Sequence, residues 1–159
     1  MFRARGGRRA LVGLVAIAAG ALAAPAAHAE RATTLVYFAN GEQLTSVPRT
    51  LWYGGRGIQG AALRTVRFLS DGPSTKERHR GVYSGFDHVP FSISSMILRR
   101  GVATVYVRRG IYAPATRGRF ALNPRFRLAQ ITYTLTEFPG IRSVTVVTSN
   151  GAKHVVIKK

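Results

Sequence analysis

Residues 123–151, NPRFRLAQITYTLTEFPGIRSVTVVTSNG, change their hydrophobic period part-way, and that change decides the kind of fold to expect. Asn123 followed by Pro124 is a helix start. The asparagine side chain can cap the first open N–H groups, and proline suits the first helical position, where its missing donor costs nothing. Leu128, Ile131, Leu135 and Phe138 then recur at helical spacing on one face. Phe126, Ala129 and Tyr133 occupy the opposite side, so this helix is expected to bury two faces. Pro139-Gly140 ends it. From Arg142 to Ser149 the pattern is that of a strand, and Asn150-Gly151 is a strong hairpin signal that returns the chain through Lys153 to Ile157.

Upstream, Phe91–Arg100 and Val102–Arg109 read as two strands joined by a tight turn at Arg100-Gly101. In the second, Ala103, Val105 and Val107 share one side and Thr104, Tyr106 and Arg108 the other. Gly110 to Leu122 reads as a loop carrying Arg117 and Arg119. Ser74 to Pro90 is polar and irregular, as expected of a surface loop. Ile58 to Ser70 has helical spacing, with Ile58, Ala62, Val66 and Leu69 on one face, and Asp71-Gly72-Pro73 stops it. Thr34–Phe38 is a first strand, turned at Asn40-Gly41. Leu44–Tyr53 is a second extended segment whose Pro48 places it at a sheet edge or a bend. The order predicts an α+β domain: two helices packed on one face of a small, mostly antiparallel sheet.

The amino terminus speaks to compartment. Arg3, Arg5, Arg8 and Arg9 precede an alanine-rich apolar run, and Ala27-His28-Ala29 is a small-x-small cleavage signal. Residues 1–29 are therefore expected to be a secretory signal peptide, cleaved near Ala29, with residues 30–159 forming a single domain. The apolar run is shorter than the roughly 20 residues a spanning helix needs. The chain has no cysteine, which excludes disulfides, a thiolate nucleophile and a lipid-modified cysteine. Of 24 basic residues four leave with the leader while all six acids stay, so the remaining charge is 20 − 6 = +14. Such an excess implies anionic surroundings, selection for solubility, or the arginine bias of a GC-rich genome.

With the elements in order, TLVYFANGEQLTSVPRTL, AALRTVRFLSDGPS, RRGVATVYV and RLAQITYTLTEFPGIRSVTVVTSNG resemble the GerMN domain, the sporulation and spore germination domain. The resemblance runs from about Thr34 to Gly151. It implies a secreted or surface-anchored envelope module of Gram-positive bacteria, non-catalytic and acting in binding or assembly. It also implies a fold similar to the ring-building motifs of secretion-type assemblies, and with it a homo-oligomer or an envelope protein partner. This chain departs from the family pattern in three places. Tyr106 and Arg108-Arg109 stand where an acidic residue and a serine usually continue the strand. Ser84 to Pro90 replaces a Ser-x-Ile-Pro stretch, and the anchoring cysteine of many relatives is missing.

The chemistry-bearing residues are few. Glu30, Glu42, Asp71, Glu77, Asp87 and Glu137 fall in turns, loops and helix ends, with no spacing that pairs two of them across a cleft. Ser84, Asp87 and His88 are close in sequence but lack a nucleophile-elbow pattern. His79, His88 and His154 are scattered and have no cysteine to complete a zinc site. The expectation is no enzyme, no cofactor and no metal; a cell-wall hydrolase is the reading the sequence favours least. Tyr53, Tyr83, Tyr106 and Tyr112 could stack on bases beside arginines, yet no nucleic-acid-binding signature is present, and no specific nucleic acid is expected as partner.

What remains is the basic surface. Arg99, Arg100, Arg108, Arg109, Arg117 and Arg119 are the candidate anion-binding residues, facing an anionic wall polymer or a membrane surface. The turn at Arg100-Gly101 puts the first pair at one end of the hairpin and Arg108-Arg109 at the other, roughly 20 Å away at ~3.3 Å per strand residue. Solvated strand ends that discourage edge aggregation are the plainer account of such pairs. Phe126, Ala129 and Tyr133 are the candidate self-association face for a ring-type subunit.

Overall fold

A computed structural model describes residues 30–53, 57–112, 123–151 and 153–158. The proposed leader, Arg117 and Arg119 lie outside the described residues. Strand β1 (Glu30–Asn40) pairs antiparallel with β2 (Gln43–Tyr53) along its whole length. Gly41, at φ 61°, starts the two-residue turn between them. Helix α1 (Gly57–Asp71), the single-turn helix α2 (Thr75–Arg78) and the short β3 (Val82–Tyr83) follow. Then come β4 (Ser92–Arg99), β5 (Val102–Arg109), α3 (Pro124–Thr136), β6 (Ser143–Thr148) and β7 (Lys153–Lys158).

The fold is α+β, and the strands divide into two sheets rather than the one the sequence suggested. The first has the order β2-β1-β3, the second β4-β5-β6-β7. Every described pairing is antiparallel except β5 with β6, which run parallel because α3 carries the chain back between them. Helix α1 packs on β1, β2 and β4, and α3 on β1 and β6, so the two helices tie the sheets into one core. Val36, Phe38, Ala62, Val66, Leu69, Val105, Ile131, Leu135 and Val144 are fully buried there. Pro48 lies on β2, an edge strand, where its missing donor interrupts no ladder. Arg100 and Gly101 both have positive φ, 50° and 80°, the geometry of a tight two-residue hairpin turn.

Three expectations change. Ile58 is 44% exposed, and α1 buries Ala61, Ala62, Thr65, Val66 and Leu69 instead. Ser74–Pro90 is not simply a surface loop: Val82, Ser84, Phe86 and Val89 are buried within it. Helix α3 does bury a second face, but a polar one. Arg127, Gln130 and Thr134 are fully buried, whereas Phe126 and Ala129 are half-buried and Tyr133 is exposed.

The polar face is buried because it does work that backbone would otherwise leave undone. β1 meets β3 only at Ala39 and Asn40, so further back the edge of β1 away from β2 lacks a strand. Helix α3 takes that place. The Thr134 hydroxyl accepts from Tyr37 N–H at 3.0 Å, and Gln130 Nε2 donates to Tyr37 C=O at 3.1 Å. Gln130 Oε1 also accepts from Gly85 N–H at 2.8 Å. Gly85 must be glycine at this contact, since a Cβ would lie 2.6 Å from Gln130 Oε1. Replacing Gln130 by leucine strips partners from one buried main-chain group, Gly85 N–H, and one part-buried group, Tyr37 C=O. Gln130→Leu is expected to cost about 3 kcal/mol of stability in urea unfolding, at one to three per orphaned group; Phe126→Leu, on the half-buried side, serves as the mild control.

Candidate anion-binding surface

The β4–β5 hairpin keeps its arginine pairs at opposite ends. Arg99 pairs with Val102 beside the turn, while Arg109 pairs with Ser92 at the far end. Arg99, Arg100, Arg108 and Arg109 are all exposed. At the turn end a further arginine joins them. Gly101 C=O accepts from Arg142 N–H at 2.8 Å and Ser143 N–H at 3.2 Å, and Arg142 Nη2 donates to Arg100 C=O at 3.1 Å. Arg142 was not singled out in the sequence, because only the parallel pairing of Val102 with Ser143 brings it there.

At the other end the parallel strands β5 and β6 finish side by side. Their carboxyl ends open a cleft of about 340 Å³, lined among others by Arg108, Arg109, Tyr112, Thr148, Ser149 and Asn150. The chain leaves β5 through Gly110 at φ 111°, where a Cβ would come within 3.0 Å of Phe91. Beneath this bend lies Arg127, 0% exposed. Its Nη1 donates to Gly110 C=O at 2.6 Å and to Ile111 C=O at 3.0 Å, and its Nε to Gly85 C=O at 2.7 Å. Burial pulls its pKa below the ordinary value, yet an arginine stays charged in a protein interior. Arg127 therefore holds the floor of the cleft as a buried cation whose donors are aimed at carbonyls.

Three of the six carboxylates, Glu77, Asp87 and Glu137, are engaged in the fold. Glu77 receives both Arg49 nitrogens, at 2.6 and 2.8 Å, and caps α2 by accepting from Ser74 N–H at 2.7 Å. Asp87 takes a bidentate pair from Arg78, each bond 3.0 Å, and accepts from Ser84 N–H. Glu137 accepts from the Tyr37 hydroxyl at 2.9 Å. No carboxylate forms an ion pair with Arg99, Arg100, Arg108, Arg109 or Arg142 among the described residues. The basic ends thus keep their charge, and the acids that do form ion pairs are held by Arg49 and Arg78.

Catalytic alternatives do not assemble. Ser84 is buried, its hydroxyl donating to Leu69 C=O at 2.7 Å and accepting from Phe86 N–H, while His88 is exposed at φ 59°. Ser84 thus closes the end of α1 and is not presented to a base. Among the described residues no three histidines, cysteines or carboxylates gather in a way that could hold a metal. No described helix is long and apolar enough to cross a membrane. Of the self-association residues, Tyr133 is 40% exposed and leans on Tyr37, their ring centres 5.5 Å apart.

With this geometry in hand the relatives can be placed. The profile of the sporulation and spore germination family (Germane) matches residues 35–154. The chain belongs to that family. Its fold is similar to the tandem GerMN domains of the sporulation protein GerM from Bacillus subtilis, at a TM-score of 0.52 and 19% identity over 88% of this chain. The chain spans 49% of that structure's length. A putative lipoprotein from Clostridium perfringens is a more distant match, with a TM-score of 0.45 and 15% identity over 77% of this chain and 76% of its own. No curated protein is significantly similar in sequence. The GerMN family is not known for enzymatic activity.

The Arg49–Glu77 pair gives this region a pH signature. Hydrogen bonds from Arg49 hold the Glu77 carboxyl at a pKa of about 2 against an ordinary 4.5, with Ser74 adding to the effect and burial opposing it. The folded value lies below the unfolded one, so the contribution is complete above pH 4.5 and disappears as pH falls toward 2. On the order of 2 kcal/mol is expected at neutral pH, discounted because the two side chains remain 17% and 21% exposed. Thermal melts from pH 6 to 2 should show Glu77→Gln less stable than wild type above pH 4.5, with the two curves converging in acid.

Proposed function

We propose that the protein is a non-catalytic, exported GerMN-family envelope module that adheres to anionic wall or membrane material through the two basic ends of the β4–β5 hairpin. The observation that carries this is the separation of charges. Five arginines are exposed at the hairpin ends, while the described acids that form ion pairs do so with Arg49 and Arg78. A cation paired in the fold has its field cancelled locally; an unpaired one remains available to a polyanion. Export is supported by the leader pattern of residues 1–29, with cleavage near Ala29, and by the family. The absence of cysteine leaves charge and shape, in place of a lipid, to hold the module at the envelope.

The alternative is a ring-type subunit that self-associates through Tyr133 and its neighbours Phe126 and Ala129. The exposure of Tyr133 favours it, but the Tyr37 contact already occupies part of that ring's surface.

Retention on purified Gram-positive walls separates the two. Adhesion predicts strong binding at about 0.05 M salt and loss of most of it near 1 M, where the screening length shrinks to about 3 Å. Reversing both Arg108 and Arg109 to glutamate should weaken retention at low salt without altering the circular dichroism spectrum. Equal retention at both salt concentrations would remove the electrostatic reading. Salt-independent sedimentation as an oligomer that Tyr133→Glu dissolves would favour the ring.

A further inference from the structure

The two basic ends are not alike. At the turn end Arg99, Arg100 and Arg142 gather around a tight hairpin turn. The other end is concave, and it is walled by more than charge. Resting on the adhesion reading, we infer that the cleft at the carboxyl ends of β5 and β6 is a binding site for a single anionic sugar unit, a pyranose bearing phosphate or carboxylate.

Each part of the cleft matches one part of that ligand. Parallel strands end with a crevice beyond their carboxyl ends, because the chains must leave in different directions. Here β5 leaves through Gly110 into Ile111 and Tyr112, while β6 turns through Ser149 and Asn150, with Gly151 N–H donating to Thr148 C=O at 2.9 Å. The opening of about 340 Å³ is at the small end of the range for ligand sites and suits a sugar ring better than a folded peptide. Arg108 and Arg109 line it, and among the described residues no carboxylate does. A guanidinium is suited to phosphate and carboxylate because its planar fork offers two parallel donors.

Tyr112 supplies the second element. It is 49% exposed at the rim, and an aromatic ring there presents an apolar face with a polar tip. A pyranose has the complementary shape: one face of C–H groups, edged by hydroxyls. Ser149, exposed in the lining, adds a hydroxyl such edges need. The Thr148 hydroxyl donates to Asn150 Oδ1, which fixes the amide so that its nitrogen end is the donor end. Val107 and Ile111 complete the lining with apolar surface.

The floor is set from behind. The oxygens of Gly110 and Ile111 are turned to the Arg127 guanidinium inside the fold. Two carbonyl dipoles are thereby neutralised, and a fixed positive charge lies beneath the site. Such a floor favours an anion over a neutral sugar. The turn end is not backed by Arg127, so it should bind anions by charge alone.

An NMR titration of the purified protein tests this with four probes: N-acetylglucosamine 1-phosphate, glucuronate, neutral N-acetylglucosamine and inorganic phosphate. Saturable shifts are expected at Val107–Tyr112 and Thr148–Gly151 with one or both anionic sugars, and the tighter of the two names the acid group. The neutral sugar and inorganic phosphate should each bind about tenfold more weakly, the equivalent of losing one charged hydrogen bond or the stacking surface. Tyr112→Ala and Arg109→Ser should each weaken the sugar by about fivefold to tenfold, and Arg99→Ser should not. All three positions are exposed, and a well-dispersed spectrum confirms that each variant is folded. Inorganic phosphate binding as tightly as its sugar ester, or shifts spread equally over Arg99, Arg100 and Arg142, would overturn the inference. Salt-sensitive wall retention with no cleft shifts would sink the cleft alone; cleft binding with salt-insensitive retention would sink the adhesion reading instead.

Discussion

The structure depends on one unusual seam: a helix that completes a sheet with its side chains. Helix α3 presents Arg127, Gln130, Thr134 and Glu137 at intervals of three, four and three residues, which keeps them in one line down the helix. Thr134 and Gln130 take the N–H and C=O of Tyr37, and Glu137 takes its hydroxyl. An uncovered strand edge invites pairing with another chain, and this seam covers part of that edge. The same line reaches the Ser84–Val89 turn through Gly85, which gives its N–H to Gln130 and its C=O to Arg127. One row of polar side chains therefore joins the first sheet, the loop over α1 and the exit of β5.

Burying Arg127, Gln130 and Thr134 is costly, and it is tolerated because their bonds answer main-chain groups of Gly85, Gly110, Ile111 and Tyr37. An arginine removed from water loses a large solvation energy unless its donors are met. Arg127 meets three carbonyls at 2.6 to 3.0 Å, and Phe86 packs with the guanidinium 6.0 Å from its ring centre. The carbonyls it takes belong to segments distant in sequence from one another, Gly85 and Gly110–Ile111. The guanidinium is thus a clamp between the loop and the cleft, and its position explains why the bend after β5 can be sharp and still have its backbone satisfied.

This distribution of roles shows what sequence can and cannot carry. The apolar line Leu128, Ile131, Leu135 and Phe138 was readable because hydrophobic spacing has one dominant interpretation, and all four are buried. The hairpin at Arg100-Gly101 and the cap at Asn123 were equally plain, since each depends on a local backbone preference. Arg127, Gln130 and Thr134 look like a solvated stripe to any rule based on polarity. The burial of Gln130 and Thr134 follows from a partner, the open edge of β1, almost a hundred positions away, and that of Arg127 from the carbonyls of Gly85, Gly110 and Ile111. Ser74–Pro90 misleads for the same reason: its polar residues bond inward, with Ser84 closing α1 and Asp87 held by Arg78. Arg142 and the cleft were invisible until β5 and β6 were known to run parallel, because only that pairing gathers their ends.

The separation of the two basic ends has a consequence for what each can sense. The two ends lie roughly 20 Å apart at ~3.3 Å per strand residue, more than two screening lengths at physiological salt, where the Debye length is about 8 Å. Charges that far apart scarcely feel one another, so under the proposed adhesion the hairpin would act as two weak sites on a rigid spacer and not as one strong patch. A compact anion can occupy only one of them. A polymer long enough to reach both gains from the second contact without new affinity at either, since the first binding event raises the effective concentration for the next. Rigidity matters here: the pairing of β5 with β4 on one side and β6 on the other fixes the spacing, so little entropy is lost when both ends engage. Under the proposed adhesion, discrimination between a long repeating anion and a short one would thus arise from the length of a strand.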